Sequence, residues 1–112
     1  MECLFCAIAD GTIPSTKVYE DEQVVAFRDI HAQAPVHILV IPRRHIASLQ
    51  DSSDGDEVLL GRLMRTVRRL AEREGLQRGY RVVVNVGEQG GQTVSHLHLH
   101  LLGGRDMQWP PG

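Results

Sequence analysis

Cysteine is scarce in this chain of 112 residues: there are two, Cys3 and Cys6. Two thiols do not make a disulfide scaffold, and cytosolic thiols stay reduced, so the expected compartment is cytoplasmic. No apolar run approaches the ~20 residues that a membrane span needs. Met1–Cys6 has no basic segment leading into an apolar stretch, so a secretory signal is not expected. A surplus of positive charge is missing too. The formal net charge is −2, which argues against a generic polyanion binder, because such proteins rely on excess Lys and Arg. Neither nucleic acid nor membrane is an expected partner, and any nucleotide it binds should be small and held by local groups. Internal repeats and low-complexity tracts are absent as well.

What remains is an ordinary globular composition, 42% apolar and 23% charged. The length predicts one domain over 1–112. A chain of this size hides roughly 65% of its unfolded surface, enough for one core. Cys3 to Ala9 reads as a short helix stopped by Asp10-Gly11. Lys17–Glu20 and Gln23–Arg28 read as two strands across a Glu-Asp-Glu turn. Val36 to Ile41 is a longer strand between Pro35 and Pro42, where proline does least harm to a ladder.

Ser53 to Glu74 is the one long helix, with Ser53 as cap, acidic residues in its first turn and Gly75 as its stop. Leu60, Leu63, Met64, Val67, Leu70 and Ala71 recur at helical spacing as one apolar stripe. Arg62, Arg65, Arg69 and Arg73 fall largely off it and read as a solvated face. Tyr80 to Asn85 is a strand, Gly87 to Gly91 a loop, and Leu97 to Leu102 the last strand. The expected fold is α+β: an antiparallel sheet with one long helix on one face and a short N-terminal helix.

Three of the six histidines alternate in His96-Leu97-His98-Leu99-His100-Leu101. On a strand this puts the imidazoles on one face, ~6.5 Å apart, and the leucines on the other, which is core. A solvated face is one reading of the imidazole row, although histidine is not a favoured strand filler. A three-histidine catalytic zinc site is another. Nucleophilic catalysis by imidazole, largely unprotonated at neutral pH, is the third.

His96 to Leu102 matches His-φ-His-φ-His-φ-φ (φ apolar) at every position, and here the chain resembles the histidine-triad family. The resemblance extends through Ala26–Ile30, Gln33–His37, Val40–His45 and Gly91–Val94. The ending Leu102 to Gly112, with Trp109-Pro110-Pro111-Gly112, is similar to the Hint branch, the purine nucleoside phosphoramidases. The resemblance implies that His98 attacks the α-phosphorus and forms a nucleotidyl-imidazole intermediate, which water hydrolyses. It implies that His37 supports the arrangement and that His100 contacts phosphate oxygens or the leaving group. Asn85 and Gly90-Gly91-Gln92-Thr93 would line the phosphate; family members often carry serine where Thr93 stands, and the Thr93 hydroxyl still serves. Asp29 would take the ribose hydroxyls, and Ile13, Phe27, Ile30 and Leu39 the nucleobase, although plain core packing also explains these four. Trp109 of the ending is a further substrate-side candidate.

Cys3-x-x-Cys6 could be a redox pair, half of a zinc site or two buried thiols. A redox pair would normally follow a strand, and none precedes it. Some microbial members of the family hold zinc with such a pair plus two histidines, which correspond here to His45 and His96. The resemblance thus implies one structural Zn2+ per chain on Cys3, Cys6, His45 and His96. It also implies a homodimer that hydrolyses purine nucleoside 5′-phosphoramidates and aminoacyl-type adenylates. A purine-nucleotide-binding interaction module and a dinucleoside polyphosphate hydrolase of the Fhit branch are the alternatives.

Overall fold

The computed structural model describes residues 3–112, so Met1 and Glu2 of the segment inspected for a signal lie outside it. In chain order it contains α1 (Leu4–Ala9), β1 (Lys17–Glu20), β2 (Val24–Arg28), β3 (Val36–Pro42), α2 (Glu57–Arg73), β4 (Tyr80–Val83) and β5 (Leu99–Gly103). Two 3-10 turns, Leu49–Asp51 and Asp54–Asp56, lead into α2. The five strands form one antiparallel sheet in the order β1-β2-β3-β5-β4. The expected α+β architecture is therefore what the chain adopts. No helix among the described residues is long and apolar enough to cross a membrane.

Alternation sorts the core strands into two faces. Val24, Ala26, Ile38, Val40, Leu99 and Leu101 meet Leu63, Val67, Leu70 and Ala71 of α2. Val25, Phe27, Leu39 and Ile41 point the other way and meet Phe5, Ile8 and Ala9 of α1. Burying both faces is why β2 and β3 carry continuous apolar runs, a pattern more usual in parallel sheets. The histidine side of β5 thus belongs to a second, smaller core rather than to a solvated face.

Several boundaries differ from expectation. α2 does not start at Ser53: a 3-10 turn precedes it, and the Asp56 carboxylate accepts the Ser53 N–H at 2.9 Å. Ser53 is the N-cap of that turn and forms a reciprocal capping box with Asp56; Arg44 pairs with the same Asp56 carboxylate. Met64 is half exposed, and Thr66 takes a buried place on the stripe. Thr66 tolerates burial because its hydroxyl donates to the Arg62 carbonyl four residues back, at 2.8 Å. The four arginines of the predicted solvated face are exposed.

The last strand begins at Leu99, not Leu97. Leu97 N–H bonds to the Ile46 carbonyl at 2.7 Å and His96 N–H to Val94 at 2.9 Å, so this stretch leaves the ladder. β4 likewise ends at Val83, opposite His100, leaving Asn85 in the connection that follows. Arg43 secures α1 to the sheet, donating to the carbonyls of Asp21 and Ala9 and to Glu20.

Candidate functional site

β3 and β5 set the site by register. Leu39 pairs with His100, and His37 with Leu102, so His37, Leu39 and His100 share a face of the sheet. His98 sits just before β5, its ring 5.0 Å from that of His100 and 5.1 Å from Phe5, which stands edge-on. His98 and His37 are each only 5% exposed.

The hydrogen bonds determine where each ring carries its proton, because a backbone N–H can only donate and a carbonyl can only accept. His98 Nδ1 lies 2.7 Å from the His96 carbonyl. Nδ1 therefore holds the proton, and Nε2 keeps a free lone pair. His37 Nδ1 accepts the Gln33 N–H at 3.0 Å, so its proton is on Nε2. That Nε2–H donates to His100 Nδ1 at 2.9 Å, which leaves the His100 proton on Nε2. His100 Nε2 is buried and has no partner among the described residues, a rare condition for a buried donor.

Burial pushes the His37 pKa down, against the pull of the Asp29 carboxylate. His100 is held at about 4, from an ordinary 6.5, by burial and by the neighbouring His98 and His37 rings. Both rings are therefore neutral at neutral pH. Asp29 lies at the end of β2, its Oδ2 3.4 Å from His37 Nε2.

His96 belongs to a different cluster. Its ring is fully buried, and its Nε2–H donates to the Pro42 carbonyl at 2.8 Å. The lone pair on Nδ1 then faces Cys3 Sγ at 3.4 Å, Cys6 Sγ at 3.5 Å and His45 Nδ1 at 3.2 Å. Cys6 Sγ is also 3.4 Å from His45 Nδ1. Ligands around a tetrahedral ion with ordinary zinc distances stand about 3.3–3.8 Å apart. The spacing, the bare Nδ1 and the outer Pro42 bond all fit a metal ion. Without one, burial and the Cys3 thiol push the Cys6 thiol up to about 11. The cluster Cys3, Cys6, His45, His96 could thus hold a metal ion.

Asp29, His37 and His100 also bring ligand atoms close together. The Gln33 N–H rules on that set: with its proton on Nε2, His37 offers no lone pair there. The triad histidines do not converge on one ion either, since His96 turns to the cysteines and His98 to a carbonyl. A three-histidine catalytic metal does not fit this arrangement.

The remaining candidates divide. Phe27 and Leu39 are buried in the cluster around α1, whereas Ile13 is 38% and Ile30 89% exposed. Gly91 and Gln92 N–H groups bond within their own turn, to Glu88 and Gly87. The Gln92 side chain also closes the loop, donating to Ala47 and Val94 and accepting from Gly87. Gly91 and Gln92 therefore shape the loop and have no free donor for a phosphate; Thr93 is exposed and Asn85 half-buried. Trp109 is 82% exposed and lies beside Tyr80 and Val82–Val84, not against the histidines. Sequence reasoning did not single out Phe5, Gln33 or Pro42. Phe5 lies inside Cys3-x-x-Cys6, but two of these three act through backbone atoms, which side-chain identity does not reveal.

Residues 10–107 match the model of the HIT domain. A HIT-like protein of Synechococcus elongatus is 53% identical over 99% of this chain and 97% of its own. The crystal structure of a HIT family hydrolase from Legionella pneumophila superposes with a TM-score of 0.98. It is 55% identical over 99% of this chain and 100% of that one. A histidine triad nucleotide-binding protein from Candida albicans gives a TM-score of 0.83 at 33% identity, over 97% of this chain and 83% of its own. With the triad, its fold and nearly its whole length in common with these proteins, the chain belongs to the HIT family.

Proposed function

We propose that this protein is a Hint-type hydrolase of purine nucleoside 5′-phosphoramidates and aminoacyl-type adenylates, acting through a nucleotidyl-histidine intermediate. The observation that carries the reading is the His98 Nδ1–H held by the His96 carbonyl at 2.7 Å. It leaves the Nε2 lone pair free for attack, with the His100 ring 5.0 Å from that of His98. Nε2 forms a bond to the α-phosphorus, and the phosphorus–nitrogen bond to the amine breaks. The amine leaves with the bonding pair and takes up a proton; with an aminoacyl-type adenylate the phosphorus–oxygen bond breaks instead and the carboxylate leaves. Attack makes the His98 ring cationic, and its bond to the carbonyl becomes charge-assisted, worth about 1.5–3 kcal/mol. Water then cleaves the nucleotidyl-imidazole bond and restores His98.

His100 Nε2–H, buried and without an acceptor, supplies a ready donor for a phosphoryl oxygen or the leaving group. His37 fixes the His100 tautomer. Asp29 takes the ribose, and Ile13, Phe27, Ile30 and Leu39 border the purine. Asn85, in the connection after β4, and Thr93, next to Gln92, are the candidates for the phosphate side. The names of the Legionella hydrolase and the Candida nucleotide-binding protein support this class of reaction. Zinc is the metal assigned to Cys3, Cys6, His45 and His96: four protein ligands leave no open position, which marks a structural ion. It would cross-link α1 to the segments after β3 and before β5. A homodimer is supported by the open edge of β4, with Tyr80 and Trp109 exposed beside it.

The test is turnover of adenosine and guanosine 5′-phosphoramidates, beside diadenosine polyphosphates, by the protein and by His98→Ala. Loss of a covalent nucleophile costs several orders of magnitude in kcat, while nucleotide binding by the variant should survive. A variant that keeps more than a tenth of wild-type kcat removes His98 from the nucleophile's role.

A further inference from the structure

We infer that Asp29 has a second task besides ribose recognition: its carboxylate locks the tautomer of His37, and through it the donor that His100 presents to substrate. The inference rests on the phosphoramidase reading. It begins with how the two carboxylate oxygens are divided. Oδ1 accepts the His31 N–H at 2.8 Å, and Oδ2 lies 3.4 Å from His37 Nε2. Backbone pairing places the two residues together, since the Asp29 N–H donates to the His37 carbonyl at 3.0 Å. The His37 side chain is 4% exposed and that of Asp29 18%, so water competes weakly for either.

His37 is gripped from both ends of its ring. At Nδ1 the Gln33 N–H can only donate; beside Nε2, whose N–H donates to His100 Nδ1 at 2.9 Å, the Asp29 carboxylate lies at 3.4 Å, and its negative charge favours a proton on that nitrogen. Both demand the same tautomer, with Nδ1 bare and Nε2 protonated. His100 Nδ1 must then accept, and its one proton is forced onto Nε2, the buried atom without a partner. Each basic lone pair of the two rings already faces a donor. An extra proton has no place to sit without breaking one of these bonds, so His100 acts as an uncharged donor. If His37 changed tautomer, His100 would lose that donor without any change to His100 itself. Asp29 is in this respect a positioning residue.

Two substitutions separate this task from ribose binding. The carboxylate presents an acceptor to the His31 N–H and a negative charge to the His37 Nε2–H, and an amide at position 29 can turn its single oxygen to only one of them. Whichever way the amide of Asp29→Asn is turned, it sets a donor against a donor. Asp29→Ala removes the acceptor without adding a donor. On 2′,3′-dideoxy phosphoramidates no sugar hydroxyl is present, so a residue that only binds ribose has nothing to lose. The expected order of kcat on such substrates is wild type, then Ala, then Asn. The losses should be about threefold and at least about tenfold, with KM little changed.

Nitrogen NMR of the imidazoles gives the readout that a merely structural role would not move. His37 and His100 should be Nε2–H in the wild type and mixed in Asp29→Asn. Unchanged tautomers overturn the proposal, whatever the kinetics. A tautomer change with kcat on the dideoxy substrate within twofold of wild type overturns it as well. If Asp29→Asn does not fold, Asp29→Ala decides by the same two measurements. If the wild type turns over no phosphoramidate of either sugar, the phosphoramidase reading fails. The nitrogen spectra then decide the tautomer lock alone: mixed tautomers in the variant support it and unchanged ones overturn it.

Discussion

Acid should destabilise the wild type more than it destabilises His100→Asn. The His100 pKa falls from 6.5 to about 4 on folding, because burial and the neighbouring His98 and His37 rings disfavour its charged form. Between those two values the unfolded chain binds a proton that the folded chain refuses. Stability is therefore fully present above pH 6.5 and is lost as pH falls towards 4. The full shift of 2.5 units corresponds to about 3.4 kcal/mol at 1.36 kcal/mol per unit. His100 is partly exposed, and solvent screening reduces this to about 1.5–2 kcal/mol. Asparagine does not titrate, and its side-chain oxygen can reach the position of Nδ1 to accept the His37 Nε2–H. Carboxylates and the metal ligands are common to both proteins, so their contributions cancel in the difference. Urea unfolding at pH 7, 6, 5 and 4 should show the two stability curves converging by about 1.5–2 kcal/mol in favour of the variant. Parallel curves within about 0.5 kcal/mol would refute a neutral, acid-resistant His100.

Cys3→Ser with Cys6→Ser should abolish one bound zinc per chain and lower Tm by about 10 °C or more, since a closed site stabilises structure. kcat measured where the variant remains folded should change far less; its collapse, with recovery on adding zinc to metal-stripped wild type, would make the metal catalytic. Gly90→Ala should perturb the loop before Thr93, because an added Cβ would stand 2.3 Å from the Val86 carbonyl oxygen. The backbone must then move, at about 1–3 kcal/mol, and kcat/KM should fall more than thermal stability does; unchanged kcat/KM would detach this loop from the substrate.

Much of the fold was legible because side-chain period reports burial. β3, bounded by Pro35 and ending in Pro42, and the helix stopped by Gly75 lie close to where their patterns put them. The sequence was less informative where the backbone makes the decision. Leu97 looks like strand, since it continues the alternation and is buried at 2%. Yet its N–H is taken by Ile46 across the molecule, and no side-chain pattern shows that. The second core was hidden for a different reason. Val25, Phe27, Leu39 and Ile41 could be sorted to the far face of the sheet, but the helix covering them is only six residues long. So short a segment carries little periodicity of its own.

The candidate site divides along the same line. Which residues gather was readable in two ways: alternation put His98 and His100 on one face, and the resemblance to the histidine-triad family added His37 to them and set His96 with the cysteines. What each ring does was not readable, because an imidazole can donate or accept at either nitrogen. Four backbone groups resolve this. The carbonyls of His96 and Pro42 fix His98 and His96, and the N–H of Gln33 fixes His37, which in turn fixes His100. The fourth is the Asp29 N–H on the His37 carbonyl, which brings the carboxylate to the same ring. Chemically identical side chains, alternating along one stretch, are thereby given three different states. His96 turns a lone pair to the cysteines, His98 turns one to the site, and His100 turns a proton to it. The fold thus discriminates among equal residues through main-chain donors and acceptors placed by strand register. A substitution that leaves every histidine in place but moves Gln33 or Pro42 should therefore damage the site as surely as loss of a ring.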